Sequence, residues 1–174
     1  MQVEGTMSRD TTGGRLDELY LRHSPAGLRL AYLLTGDPAL AEDLMQEAFA
    51  RLIARLRHLR DPDAFGAYLR RTIVNLATSH LRHRAVERIY LEREGPRTRR
   101  ESNDPDVAMH EALRVSLLGL PERQRAAIVL RFFEDLAELD VAEILRCRPG
   151  TVRSLVSRGM ASMRIDLEGT DDAH

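Results

Sequence analysis

Apolar side chains recur every three or four residues along almost the whole chain, a spacing that commits it to helices. Leu44, Ala48, Leu52 and Leu56 fall at i+4 intervals with Phe49 and Ile53 beside them, and Phe65, Leu69, Ile73 and Leu76 repeat the stripe further on. Before them, Leu16, Leu19 and Tyr20, then Leu30, Leu33 and Leu34, read as a first helix or a pair broken near Ser24-Pro25. Gly36-Asp37-Pro38 punctuates the pattern: glycine can end one helix, aspartate can cap the next, and proline fits its first turn. Asp61-Pro62-Asp63 repeats that signal, and a third helix is predicted over about Ala64 to Arg84. Periodicity lapses over residues 85–106, where Gly95, two prolines and mixed charges read as a solvated linker. It resumes with Met109, Leu113 and Leu117, and Leu120-Pro121 opens a helix holding Ile128, Val129, Leu130, Phe132 and Phe133. A short helix at 136–145 and another from Pro149 complete the pattern. The expected fold is all-α, with two small helical domains at 15–85 and 107–165 joined by a flexible linker at 86–106. The N-terminus, 1–14, and the acidic tail, 166–174, are expected to be disordered.

Length is compatible with this, since 174 residues hold one ordinary domain or two small ones. No apolar run approaches the roughly 18 residues of a membrane span, so no membrane insertion is expected. The polar, glycine-containing start is neither a signal peptide nor a transit peptide. A lone cysteine, Cys147, excludes an internal disulfide and fits a reducing cytoplasm. The net charge of −1 hides a segregation: residues 51–100 carry 13 arginines against five acidic residues, while 1–50 carry four against eight and 101–174 nine against 14. A basic middle between acidic ends implies a polyanion partner and a separate basic protein partner. There is no lysine, so every cation is a guanidinium suited to bidentate phosphate or base contacts, although such a bias is also simply compositional.

Residues 136–164 have the form of a helix-turn-helix. Leu136, Val141, Ala142 and Leu145 serve the core of the first helix, and Arg146-Cys147-Arg148 makes a tight turn. In the helix from Pro149, Val152, Leu155, Val156 and Met163 face inward while Arg153, Ser154, Ser157 and Arg158 remain outside. That division suits a recognition helix, whose hydrogen-bonding side chains near the N-terminus reach base edges. Any basic amphipathic helix shares part of it. A second stripe, Tyr68, Arg71, Asn75, Thr78 and Arg82 at i+3 and i+4, joins stacking, phosphate contact and base-edge bonding on one face. A half-buried tyrosine among solubilising arginines would look similar. Asp43, Gln46, Glu47 and Ala50 share an outward acidic face, which is either an ordinary solvated surface or a dock for a basic partner helix. Carboxylates so exposed lack the burial that would make a catalytic pair. His80 and His83 are too isolated to argue for a metal, and no ligand cluster, nucleophile–base pair or phosphate loop suggests an enzyme or a cofactor.

The segment LPERQRAAIVLRFFEDLAELDVAEILRCRPGTVRSLVSRGMASMR resembles region 4 of bacterial RNA polymerase sigma factors of the extracytoplasmic-function (ECF) group. Asp43-Leu44-Met45-Gln46-Glu47-Ala48-Phe49 and the stripe after it resemble sigma regions 2.2 to 2.4. The resemblance spans about 16–84 and 109–165. It implies a non-enzymatic, cytoplasmic transcription initiation factor that recognises and opens promoter DNA. Carried over by position, Asp43, Gln46 and Glu47 would dock on the clamp helices of the polymerase β′ subunit, and the second domain would meet the β-flap. Tyr68, Arg71, Asn75, Thr78 and Arg82 would capture the minus-ten element, with the loop from about His58 to Asp63 taking a flipped base. Arg148, Thr151, Arg153, Ser154, Ser157 and Arg158 would contact the minus-thirty-five element. An anti-sigma factor that masks these surfaces is a further expected partner.

Several positions depart from that pattern. Tyr68 stands where tryptophan is frequent, Ser79 where aspartate is common, and Leu155 in place of a basic residue. Ala137 replaces a serine, Arg146 a glycine that would suit a left-handed helix end, and Arg148 a capping serine. Arg146 and Arg148 are expected to add phosphate contacts at some expense in stability. The competing reading is a helix-turn-helix regulator that binds an operator without polymerase. It accounts for the second half of the chain but leaves the Tyr68–Arg82 stripe and the acidic face without a role.

Overall fold

The computed structural model describes residues 7–55, 64–90 and 105–171. Helices α1 (Met7–Thr35), α2 (Pro38–Arg55) and α3 (Phe65–Tyr90) pack on one another. Helices α4 (Pro105–Gly119), α5 (Glu122–Ile128), α6 (Glu138–Ile144) and α7 (Pro149–Asp171) form a second group around α7. No strand occurs among the described residues.

The first junction follows the predicted chemistry. Gly36 takes φ +70, a left-handed conformation that costs glycine little, and its N–H donates to Tyr32 O at 2.7 Å. Asp37 Oδ1 then accepts from the N–H groups of Ala39 and Leu40 at 3.1 and 3.2 Å, capping α2. The apolar stripes meet as expected: Leu30, Leu34, Leu44, Ala48, Leu52, Phe65, Leu69 and Ile73 are all buried. Phe49 joins two elements edge-on, with ring centroids 5.0 Å from Tyr20 and 5.6 Å from Phe65. Leu56 and the punctuation at Asp61-Pro62-Asp63 lie outside the described residues.

Several boundaries differ from the sequence reading. α1 is continuous through Pro25. Proline removes one helical bond, to the carbonyl four residues back, and both Pro25 and Leu21 lie on the exposed side. Residues 7–14, expected to be disordered, extend α1 at its start, since adding a residue to an existing helix is far cheaper than starting one. α3 continues past Arg84 to Tyr90 because neither glycine nor proline interrupts it, and α4 starts at Pro105, so 14 residues rather than 21 separate the two helices. The acidic tail likewise begins inside α7: Met163 and Leu167 prolong its apolar face, and Ser116 Oγ donates to Asp166 Oδ2 at 3.2 Å.

In the second group the helix from Leu120-Pro121 changes pitch. After Ile128 it widens into a π turn, Val129–Phe133, marked by Glu134 N–H donating to Val129 O at 3.1 Å. Val129 and Leu130 stay buried, whereas Phe132 and Phe133 are exposed. Ala137 precedes α6 with no side-chain cap, as an alanine must. Gly159 lies buried where α7 crosses α5, and a Cβ there would sit 2.6 Å from Ile128 Cδ1.

The two groups also pack against each other, α3 on α5 and α6, and α1 on α4 and α5. Their buried residues form one apolar cluster from Leu30 to Met163. Leu118 of α4 lies directly over Gly36, where a larger residue would collide. Arg70 Nε meets Glu134 Oε2 at 2.8 Å, and Arg71 Nη1 meets Glu143 Oε1 at 2.8 Å. Arg125 is the most constrained link. Its buried guanidinium donates to Leu34 O of α1 at 2.5 Å and to Leu118 O and Leu120 O at 2.5 and 3.0 Å. Burial lowers its pKa from the usual value, but a guanidinium stays charged at neutral pH. The negative ends of α1 and α4 are suitable places for that charge.

Candidate polymerase and promoter interfaces

The acidic face forms because α2 turns Leu44, Met45 and Ala48 into the core. Asp43, Gln46, Glu47 and Ala50 are thereby exposed together. Glu47 Oε1 pairs with Arg51 Nη2 one turn on, at 2.5 Å. An exposed pair of this kind contributes little to stability, so it yields readily to a partner's cation.

Along α3, Tyr68 is about half exposed and Arg82 is exposed, while Arg71, Asn75 and Thr78 are half-buried. Thr78 Oγ1 donates back to Val74 O at 2.8 Å, so its hydroxyl is partly occupied by its own helix. Arg71 is committed to Glu143 of α6. The stripe therefore does not lie on an open surface throughout. Asn75, Thr78 and Arg82 form one wall of a cleft whose opposite wall is Arg123, Leu145 and Arg146. The predicted base-receiving loop, His58 to Asp63, lies outside the described residues.

α7 presents its own face. Thr151, Arg153, Ser154, Ser157 and Arg158 are exposed, as is Arg148 just before the helix. Arg153, Ser154, Ser157 and Arg158 line a shallow open depression. Ser154 Oγ donates to Gly150 O at 3.0 Å, and Arg158 Nε to Ser154 O at 3.2 Å. Arg153 Nε lies 3.2 Å from Glu138 Oε1 of α6, which holds the arginine over the start of the helix. Val152 and Leu155 anchor the opposite side. In the turn, Arg146 has φ +50, the conformation for which glycine is the cheaper residue. Arg146 and Arg148 are both exposed, and of the two only Arg146 lines the cleft between the domains. The Arg148 carbonyl accepts from Thr151 N–H at 2.9 Å and Val152 N–H at 3.3 Å, the backbone bonds that open α7.

Sequence reading missed three things here: the exposed Phe132 and Phe133, the Arg71–Glu143 pair, and the inward role of Arg123. Only the phenylalanines left a signal, as two adjacent aromatics that one helical face cannot both bury.

Residues 19–86 match the family described as Sigma-70 region 2, and residues 110–163 match Sigma-70, region 4. The chain is 33% identical over 155 residues to the RNA polymerase sigma-E factor of Streptomyces antibioticus, covering 89% of this chain and 86% of that protein. The chain belongs to the extracytoplasmic-function sigma factors. Against ECF RNA polymerase sigma factor SigE of Mycolicibacterium smegmatis, this sigma factor is 33% identical over 92% of its own length and 66% of that protein's. In fold it is similar to the sigma factor RpoE of Bartonella quintana, solved in complex with the anti-sigma factor NepR. That match has a TM-score of 0.69 at 24% identity and covers 88% of this chain and 97% of the other. The sigma factor is accordingly a transcription initiation factor that binds core RNA polymerase and directs it to promoters, recognising and opening the DNA. Region 2 decides between the two readings, because an operator-binding regulator has no use for it. No described helix is long and apolar enough to cross a membrane.

Proposed function

We propose that this sigma factor grips polymerase and promoter through the three faces described above. Its functional domains are residues 15–85 and 107–165, tethered through the segment between α3 and α4. Asp43, Gln46 and Glu47 dock on the β′ clamp helices, and the exposed Phe132 and Phe133 join the surface that meets the β-flap. Tyr68, Asn75 and Arg82, with Arg71 and Thr78, hold unstacked bases and backbone of the minus-ten element. Arg148, Thr151, Arg153, Ser154, Ser157 and Arg158 contact the minus-thirty-five element, the arginines as bidentate donors to guanine or phosphate. The protein performs no chemistry of its own and acts in the cytoplasm; opening draws on the binding energy of captured bases. The observation carrying this reading is the co-occurrence, in one chain, of a hydrogen-bonding recognition face on α7 and an aromatic–arginine–amide stripe on α3.

The docked arrangement adds a requirement. Elements named for positions minus ten and minus thirty-five are roughly 25 base pairs apart, about 85 Å at 3.4 Å per step. α3 packs directly against α5 and α6 and so lies far closer than that to α7. The domains must separate for both elements to be read, and core polymerase is what holds them apart. The acidic face of α2 and the cleft between the domains also suit masking by an anti-sigma factor. In vitro transcription from a genomic promoter library with core polymerase is the test. Core-dependent initiation at a defined promoter class is expected, and specific DNA binding that never needs core would refute the proposal.

A further inference from the structure

We propose that the cleft between the two domains is a binding site for a small nucleotide-class polyphosphate, and that its occupant holds the sigma factor closed. The cleft encloses about 560 Å³, within the range of small-ligand sites. Arg51, Asn75 and Arg82 come from the first domain, Arg123 and Arg146 from the second, and no carboxylate lines it. Arg51 shares its charge with Glu47, and Arg123 donates to Leu145 O at 3.1 Å. Arg82 and Arg146 have no such partner among the described residues. Four guanidiniums around one cavity repel one another, and a multivalent anion removes that repulsion while accepting their paired donors. Asn75 and the Ser79 hydroxyl offer the neutral contacts that a sugar or base requires, while the Thr72 hydroxyl, which donates to Tyr68 O at 2.8 Å, can only accept.

The backbone of the turn points the same way. Arg146 keeps a left-handed conformation that glycine would adopt more cheaply, and this residue supplies one of the unpaired guanidiniums of the cleft. A strand of promoter DNA does not explain it. Strand capture uses the stripe on α3, whereas Arg123 and Arg146 face that stripe only while the domains are docked, the state in which the two promoter elements cannot both be reached. This part of the argument rests on the reading of α3 proposed above.

The test is calorimetric titration of the full chain with inorganic tripolyphosphate, ATP and AMP, beside fluorescence anisotropy with a labelled oligothymidylate. Tripolyphosphate and ATP are expected to bind at one site, more tightly than AMP, and more weakly as salt rises. Arg146→Gly suits the backbone and should melt no lower than the parent, yet should bind tripolyphosphate at least tenfold more weakly while holding the oligonucleotide as before. Arg82→Ala should weaken both. Glu143→Gln, which loosens the docking pair without touching the cavity, should weaken tripolyphosphate several-fold and leave the oligonucleotide unaffected or tighter. Equal tripolyphosphate binding by the parent and Arg146→Gly would overturn the proposal, as would no binding at millimolar concentration. ATP binding through the base alone, with tripolyphosphate inert, would overturn it too. A failure of core-dependent transcription would refute the promoter reading without altering any of these titrations.

Discussion

Arg125→Met keeps most of the buried stem of this side chain and removes its charge, so it isolates the three bonds that tie α5 to α1, to α4 and to the junction after α4. Each hydrogen bond from a charged donor contributes about 1.5–3 kcal/mol, so three would forfeit roughly 5–9 kcal/mol if nothing opposed them. Burial opposes them: desolvating a cation costs several kcal/mol, and Arg125 Nε is buried without an acceptor. The net loss expected is therefore about 2–4 kcal/mol, partly because three carbonyls at helix ends lose their donor in a site that a thioether keeps dry. For a chain of this size each kcal/mol moves the melting temperature by about 2–4 °C, which puts the fall at roughly 5–15 °C. Thermal and urea denaturation followed by circular dichroism would measure it. Arg125→Lys, a single ammonium that cannot reach three carbonyls in a fixed fork, should fall between the two. Because one of the three bonds crosses the domain interface, Arg125→Met should also speed hydrogen exchange at the end of α1 more than in the middle of α3. An Arg125→Met protein as stable as the parent would refute the reasoning, since it would mean that desolvation cancels all three bonds.

Gly36→Ala should destabilise by about 1–2 kcal/mol, because alanine is strained in the left-handed region and its Cβ would collide with Leu118; an unchanged urea midpoint would contradict this. His23 is half-buried against Phe65, and burial, helped by the neighbouring Arg22, lowers its pKa. As pH falls past the unfolded value of about 6.5, the unfolded chain binds the proton first, so stability is lost on the acid side. His23→Gln should therefore lose less stability than the parent between neutral pH and pH 5.5, and parallel urea midpoints across that range would dismiss the effect. Arg153→Ala should cost about 1–3 kcal/mol of promoter affinity with discrimination relaxed at one base pair, as read by competition binding of the holoenzyme to single-base promoter variants. Asp43→Arg with Glu47→Arg should abolish co-elution with core polymerase while leaving the melting temperature nearly unchanged, since both side chains are exposed.

Local spacing alone determined the helices, their inward faces and the helix-turn-helix, because each depends on neighbours three or four residues away. The capped junction at Gly36-Asp37-Pro38 was equally legible, since local backbone and capping preferences decide it, whereas the left-handed turn at Arg146 runs against arginine's own preference and was signalled only by the glycine usual at that position in the family. The exposed faces at Asp43–Glu47 and Thr151–Arg158 followed as complements of those inward stripes, while along the Tyr68–Arg82 stripe only the two ends are exposed and Arg71, Asn75 and Thr78 are half-buried against the second domain. What only the tertiary structure decided lies between residues far apart in the chain. Arg70 with Glu134, Arg71 with Glu143 and Arg125 with Leu34 are separated by 64, 72 and 91 residues. Nothing in a local pattern says which charge will meet which, or that the Leu34 carbonyl will receive a guanidinium from the second domain. The unbroken passage of α1 through Pro25 and the π turn that exposes Phe132 and Phe133 are of the same kind. Both depend on which side of the element the assembled chain leaves open, and that is a property of the tertiary structure and not of any local pattern.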